Sequence, residues 1–351
     1  MVKSNKDVIN MEETAFSIIV GQCDRLNKEI LKARKASRTD CNVLIFGEHG
    51  TGKELVARAI HVASNRRDKP FIKVNCAAIP DTLIETEFFG YEEGAFTGAK
   101  RGGKTGLFQQ AHQGTLFLDE VGDLSLPAQA KLLTAIQDKE FTRIGGAKAI
   151  KVDVRIIAAT NKDIRRLIRE GRFREDLFYR LNVVRIDLPP LRERDNDIEI
   201  LSNYFLHFYC KKMGTNKHFS KETLGLLRSY KWPGNVRELF NVIEYAIVMS
   251  DDTEITPKDL PPYIAEQSHG SKESEETGPE EEELRDAYRV IANKLAGRSW
   301  AEIRREIEKN ILRTMLERFK TKSELIKTLK ISRSQFYEKL KKLKLEDKNN
   351  G

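Results

Sequence analysis

Apolar and polar positions follow two rhythms along the first half of the chain. CNVLIF (41–46), FIKVNC (71–76), TLFLDE (115–120) and VDVRIIAAT (152–160) are short, nearly continuous apolar runs, the pattern of strands buried on both faces. ELVARAIHVAS (54–64) and AQAKLLTAIQ (128–137) lie between them with helical spacing of their apolar residues. Strands alternating with helices predict an α/β fold over 14–189, a parallel sheet flanked by helices, behind a short tail at 1–13. After Pro189-Pro190 the rhythm is helical throughout: DIEILSNYFLHFYCKKM, SKETLGLLRSY and NVRELFNVIEYAIVMS predict a smaller helical subdomain at 190–265. Residues 266–283 are polar, acidic and almost free of apolar groups, so they cannot offset their own ordering entropy and predict a flexible linker. Helical spacing resumes at about 284 and defines a last domain at 284–351.

One glycine-rich segment carries chemistry. GEHGTGKE (47–54) follows a predicted strand and opens a predicted helix, the context in which G-x-x-x-x-G-K reads as a phosphate-binding P-loop. Gly47, Gly50 and Gly52 let the loop curl so that backbone N–H groups face phosphate, and the helix adds its positive end. Lys53 reaches the β- and γ-phosphates in such a loop. Glu54 stands where Ser or Thr usually ligates Mg²⁺, so the metal has to rely on other ligands and water. TLFLDE delivers Asp119 and Glu120 to a strand tip, where ligands bind in open α/β sheets. Asp119 suits Mg²⁺, directly or through water, and Glu120 suits polarising an attacking water. The predicted cofactors are ATP and Mg²⁺.

Charge and cysteine usage narrow the class. The net charge is +8, and residues 298–351 alone hold 16 Lys and Arg against 8 Asp and Glu. Residues 266–283 hold 8 Glu against one Lys. A basic end domain behind an acidic tether fits a nucleic-acid binder, and equally a solvated lysine-rich helical tail. The four cysteines, Cys23, Cys41, Cys76 and Cys210, form no CxxC pair, which argues against zinc and disulfides and for reduced thiols in a cytoplasm. No apolar run approaches the roughly 20 residues of a membrane helix, and the first residues lack an apolar signal core.

Within the last domain, Thr321-x-x-Glu324 and Ser332-x-x-Gln335 are capping boxes marking two helix starts, with Ile331 and Phe336 placed as a hydrophobic staple. A short helix, a turn and a second helix predict a helix-turn-helix. Phe336, Leu340 and Leu343 share its core face. Arg333, Ser334, Tyr337 and Lys341 point away toward bases and phosphates, with Ser332 at the helix start and Lys339 flanking for phosphate contact. A helical dimerisation tail is the alternative, and the two roles are compatible.

GEHGTGKELVARAIH (47–61), NCAAIP (75–80), FFGYEEGAFTGAK (88–100), GTLFLDEVGDL (114–124), RIIAATNKD (155–163), FREDLFYRLNV (173–183), LPPLRERDNDI (188–198) and WPGNVREL (232–239) together resemble the AAA+ activators of sigma-54 RNA polymerase, the nitrogen-regulator-C type, over about 15–265. The stretch REIEKNILRTMLERF…LKISRSQFYEKLKKL resembles the Fis-type helix-turn-helix that ends many of them. The resemblance implies an AAA+ ATPase with a helical lid, assembling from dimers into a hexameric ring, and partners in sigma-54 holoenzyme and double-stranded enhancer DNA. It implies nucleotide contacts along Gly47, Glu48, His49, Gly50, Thr51, Gly52, Lys53 and Glu54; the family shares Glu54, whereas His49 replaces a common serine. Asn75 resembles the switch asparagine that holds the catalytic glutamate, Thr160 and Asn161 the first sensor, and Arg237 the second. Arg174 and Arg180 match the pair presented to a neighbouring subunit's nucleotide. GAFTGA, comprising Gly94, Ala95, Phe96, Thr97, Gly98 and Ala99, is similar to the loop that grips sigma-54, and FTRIGG (141–146) to a second pore-side loop. Most members of the family carry an N-terminal receiver or ligand-sensing domain, so residues 1–13 imply control in trans or a shortened chain. Two other readings stay open: a DNA-binding regulator working with another sigma factor without ATP-driven remodelling, and another AAA+ remodelling machine.

Overall fold

The computed structural model describes residues 14–265, apart from 97, 98, 100, 101 and 195, together with residue 336. The predicted tail, the linker, the DNA-contacting residues Ser332, Arg333, Ser334, Tyr337, Lys339 and Lys341, and Thr97 and Gly98 of the GAFTGA loop lie outside the described residues. Phe336, assigned to a core face, is fully buried.

The chain runs α1 (Asp24–Ser37), β1 (Val43–Phe46), α2 (Lys53–Val62), β2 (Phe71–Asn75), α3 (Asp81–Phe89), β3 (Gly90–Tyr91), β4 (Lys104–Thr105), α4 (Leu107–Gln110), β5 (Thr115–Asp119), α5 (Leu126–Asp138), β6 (Glu140–Thr142), β7 (Ala149–Lys151), β8 (Arg155–Thr160), α6 (Ile164–Arg169), α7 (Glu175–Leu181) and β9 (Val184–Asp187). Five strands form one parallel sheet in the order β2-β5-β8-β1-β9. Period-2 alternation assigns each side chain to a face. Val43, Ile45, Phe117, Ile157 and Ala159 pack under α1 and α2. Leu44, Leu116, Leu118, Ile156 and Ala158 pack on the opposite face with α3, α5 and α7. Full burial of a Val, Leu, Ile or Phe contributes roughly 1.5–3 kcal/mol, so the continuous apolar runs follow from having helices on both sides.

The structure adds to and trims the predicted elements. β9 is a fifth strand that the apolar runs do not predict; it is an edge strand in which only Ile186 is fully buried, while Arg185 pairs with Asp187 at the surface. The run at 152–160 becomes a strand only from Arg155, because Val152 N–H bonds Lys139 O instead of a sheet neighbour. The 115–120 run ends at Asp119, because Glu120 turns into the left-handed region at φ 53°.

Beyond β9 the helical subdomain contains α8 (Asp197–Met213), β10 (His218–Phe219), α9 (Lys221–Ser229), α10 (Asn235–Met249), β11 (Glu254–Ile255) and α11 (Pro262–Ala265). Its core gathers Tyr209, Leu227, Trp232, Leu239 and Ile243. Gly214, in the left-handed conformation, ends α8 as an αL cap. Among the described residues no helix is long and apolar enough to cross a membrane.

Candidate nucleotide-binding site

The P-loop leaves the C-terminal end of β1, an inner strand between β8 and the edge strand β9, and turns into α2. Gly50 and Gly52 have φ of 77° and 98°, conformations that L side chains rarely adopt. Gly50 has a second constraint: a Cβ there would stand 2.2 Å from the carbonyl oxygen of Gly234 in the lid. Gly52 N-caps α2 without a side-chain bond, which leaves the first N–H groups of the helix free for phosphate. Lys53 is buried, and its Nζ donates to Gly47 O at 2.9 Å and Glu48 O at 3.3 Å while standing 3.2 Å from Glu120 Oε1. The loop therefore holds its own lysine in place.

β5 and β8 lie beside each other and bring the remaining groups to the same edge. Asn161 N–H donates to Glu120 Oε2 at 3.2 Å, so the residue after β8 contacts the carboxylate after β5. The left-handed conformation of Glu120 carries about 1–3 kcal/mol of strain in a non-glycine residue, and it aims the carboxylate back over the P-loop. Thr160 is fully buried; its Oγ1 accepts from Lys162 N–H, and its carbonyl accepts from Gly47 N–H at 3.2 Å. Asn75, at the end of the neighbouring β2, is in register with Asp119. Its Oδ1 accepts from Ala77 N–H at 3.0 Å, so the predicted switch asparagine is near the acidic pair but occupied locally. Glu54 turns aside to Lys73 at 2.5 Å and Arg58 at 3.2 Å.

Asp119 is half-buried, and burial, with the Glu120 charge second, raises its pKa above the usual value. Among the described residues no cluster of three or more His, Cys, Asp or Glu forms a metal cage. A desolvated carboxylate beside a second one nonetheless fits a divalent cation whose other ligands are phosphate oxygens and water. The raised pKa also gives a stability prediction. An acid with a folded pKa above its unfolded one destabilises the fold when ionised. Asp119→Asn raises the thermal midpoint of nucleotide-free protein at pH 7, and the gain shrinks as pH falls through the raised pKa and the wild-type carboxylate takes up its proton; a lower midpoint at pH 7 would contradict the assignment.

Several residues that tie the lid to the P-loop had no role assigned from sequence. Arg192 makes a bidentate pair with Glu48 at 2.8 and 2.6 Å, which helps hold the Glu48 pKa down at about 2. Arg194, buried, donates to Thr51 O at 2.9 Å and Pro189 O at 3.0 Å. Asn235, fully buried at φ 54°, donates to His49 O at 2.9 Å and Glu48 Oε2 at 3.1 Å and accepts from Leu191 N–H at 2.8 Å. The only signal in the sequence was PGN before the helix, since Asn tolerates the left-handed conformation needed there. Arg237, the predicted second sensor, sits exposed in the first turn of α10, with its Cβ position next to Gly50.

The paired arginines lie elsewhere. Arg174, at the N-cap of α7, pairs with Asp176 at 2.7 Å. Arg180 stands at the opposite edge of the sheet from Lys53: its carbonyl accepts from Asn42, just before β1, and it lines a cavity of about 430 Å³ together with Asn42 and Arg155, the first residue of β8. A strand advances ~3.3 Å per residue, so the length of β1 separates Arg180 from the P-loop edge of the sheet.

The GAFTGA segment rises from the β3–β4 hairpin. Phe96 is 44% exposed, with its ring edge-on to Tyr91 at 5.0 Å. The β6–β7 hairpin carries FTRIGG beside it: Ile144 exchanges backbone bonds with Gly90 and Glu92, Arg143 pairs with Glu92 at 3.2 Å, and a Cβ on Gly145 would meet Ala95 at 2.7 Å. The two predicted surface loops therefore share one base.

Three segments of the chain match known families. Residues 19–187 match the Sigma-54 interaction domain, 192–277 the AAA+ ATPase lid domain, and 303–343 the Fis family of bacterial regulatory proteins. The chain is 54% identical over 231 residues to Regulatory protein AtoC of Escherichia coli (strain K12), covering 66% of this chain and 50% of that protein. It is 42% identical over 331 residues to the acetoin dehydrogenase operon transcriptional activator AcoR of Bacillus subtilis (strain 168), covering 94% and 51% respectively. It thus spans about half the length of these relatives. The crystal structure of NtrX from Brucella abortus in complex with ADP is similar at a TM-score of 0.64 and 32% identity, over 96% of this chain and 72% of NtrX. With the P-loop, the acidic strand tip, the lid and the Fis-type segment in this order, the chain belongs to the sigma-54-dependent AAA+ transcriptional activators.

Proposed function

We propose that this protein hydrolyses ATP in a ring and uses the cycle to open promoter DNA held by sigma-54 RNA polymerase. The observation that carries the reading is the gathering of Lys53, Asp119, Glu120 and Asn161 at the C-terminal edge of the sheet, beside a P-loop that lid side chains hold at Glu48 and His49. The P-loop N–H groups and Lys53 bind the β- and γ-phosphates; the bonds from Asn235 to Glu48 and His49 keep the start of α10 beside the P-loop, which supports Arg237 as a further phosphate contact. Bound Mg²⁺ would neutralise phosphate charge, with Asp119 as its protein ligand. Glu120 orients and polarises the attacking water. Arg180 lies too far from its own nucleotide edge to act there, which supports its use in trans with Arg174 on a neighbouring subunit. A guanidinium supplied that way neutralises transition-state charge, so hydrolysis follows assembly, with a hexamer as the expected ring. The ADP-bound NtrX relative supports the nucleotide, and AcoR's description as an operon transcriptional activator supports the output.

The GAFTGA and FTRIGG loops share a base through Gly145, Ala95 and the Glu92–Arg143 pair, so a shift in one is passed to the other. Phe96, half exposed on that base, offers an apolar contact for sigma-54. The Fis-type segment supplies enhancer DNA binding through Arg333, Ser334, Tyr337 and their neighbours, and the site of action is the cytoplasm. The test uses purified protein, ATP, sigma-54 holoenzyme and a supercoiled promoter. Open complexes form only with hydrolysable ATP, and Thr97→Ala lowers their yield at least tenfold while ATP is still hydrolysed. ATP hydrolysis by wild-type protein without open complexes would instead favour a regulator of another sigma factor or a different remodelling machine.

A further inference from the structure

His49 has a side chain that phosphate binding does not require. Its imidazole is 65% exposed, yet it touches groups on two other elements. Nε2 lies 2.7 Å from Asn161 Nδ2, and Nδ1 lies 3.4 Å from Glu120 Oε1. With the Asn161 amide nitrogen donating to Nε2, the ring proton sits on Nδ1, facing the carboxylate. Lys53 approaches the same Oε1 at 3.2 Å, and Asn161 N–H holds Oε2 at 3.2 Å. Both oxygens of Glu120 are therefore engaged, by two P-loop residues and by the residue after β8. Asn75, meanwhile, is bonded to Ala77 N–H.

We propose that His49 is a positioning residue that parks Glu120 in the nucleotide-free subunit and still holds it in part of the ATP-bound population, so that the carboxylate must leave the imidazole ring before it meets water. This rests on the ATPase reading of the site. A carboxylate held against the P-loop lysine, the imidazole and a backbone amide is not presented to water. An incoming γ-phosphate attracts Lys53 and competes for Asn161, removing two of the partners. The third, an exposed ring on a glycine-flanked loop, can swing into solvent without disturbing the core. The fraction still parked with ATP seated lowers kcat.

The test is steady-state ATP hydrolysis by the full chain, at concentrations that assemble it and across a range of ATP. His49→Ala raises kcat about twofold to fivefold, the range that one exposed contact can supply, with KM within about twofold of wild type. His49→Asn, whose amide nitrogen occupies nearly the place of Nδ1, brings kcat back toward the wild-type value. In a Glu120→Gln background, His49→Ala has no accelerating effect, because no carboxylate remains to be parked. A kcat that is unchanged or lower in His49→Ala overturns the proposal. So does a raised KM at unchanged kcat, which makes His49 a nucleotide contact alone, and so does acceleration that persists without Glu120. Wild-type protein that hydrolyses no ATP removes the ATPase reading itself; hydrolysis with any of the other failures removes only the role of His49.

Discussion

Glu120→Gln lowers kcat for ATP hydrolysis by roughly 10²–10⁴-fold, the contribution usual for a positioned general base, while ATP binding stays within a fewfold of wild type. The two effects separate because Glu120 has no part in seating the phosphates. Lys53 is anchored by the carbonyls of Gly47 and Glu48 as well as by the Glu120 carboxylate, so its position survives the loss of that charge. The glutamine keeps the shape and an oxygen that can accept from Asn161 N–H, and only the basicity is lost. Nucleotide affinity measured by titration calorimetry alongside turnover separates the two quantities. A variant that turns over ATP at more than a tenth of the wild-type rate would move the base elsewhere; Asp119, the other carboxylate at that strand tip, would be the next residue to test.

Trp232→Ala costs about 3–5 kcal/mol in the stability of the lid, the range for emptying a large aromatic site in a core. The indole is fully buried, packs edge-on against Tyr230 at 5.0 Å and donates from Nε1 to Leu227 O at 2.8 Å. Its removal leaves a cavity and an unsatisfied carbonyl together. Trp232 also opens the turn that places Gly234 against Gly50 and Asn235 against Glu48, so the damage extends to the nucleotide edge. The midpoint of urea unfolding falls, and ATP affinity falls with it even at denaturant concentrations where the protein remains folded. If ATP affinity is unchanged in the folded variant, the lid does not shape the P-loop through this turn.

These two residues differ in how visible they are before folding. Glu120 was legible because its motif is local: four mostly apolar residues bury a strand, and an acidic pair follows at the tip. The same holds for Lys53, for the helices that lie at 197–213 and 235–249, and for the four apolar runs that became β1, β2, β5 and β8. In each, neighbouring residues alone carry the periodicity that decides the element. β9 escaped that reading because an edge strand buries only one face fully and alternates with charge, as Arg185 and Asp187 do.

What only the tertiary structure decided are the contacts between residues far apart in the chain. Arg192 and Asn235 meet Glu48 across 144 and 187 positions, and no local pattern marks either as its partner. The placement of Arg180 at the far edge of the sheet and the approach of His49 to Asn161 and Glu120 depend likewise on strand order. Side-chain type and spacing determined which elements form and which groups could bind phosphate. Packing five strands in the order β2-β5-β8-β1-β9 determined which of those groups touch, because only that order sets β5 beside β8 and β8 beside the P-loop strand.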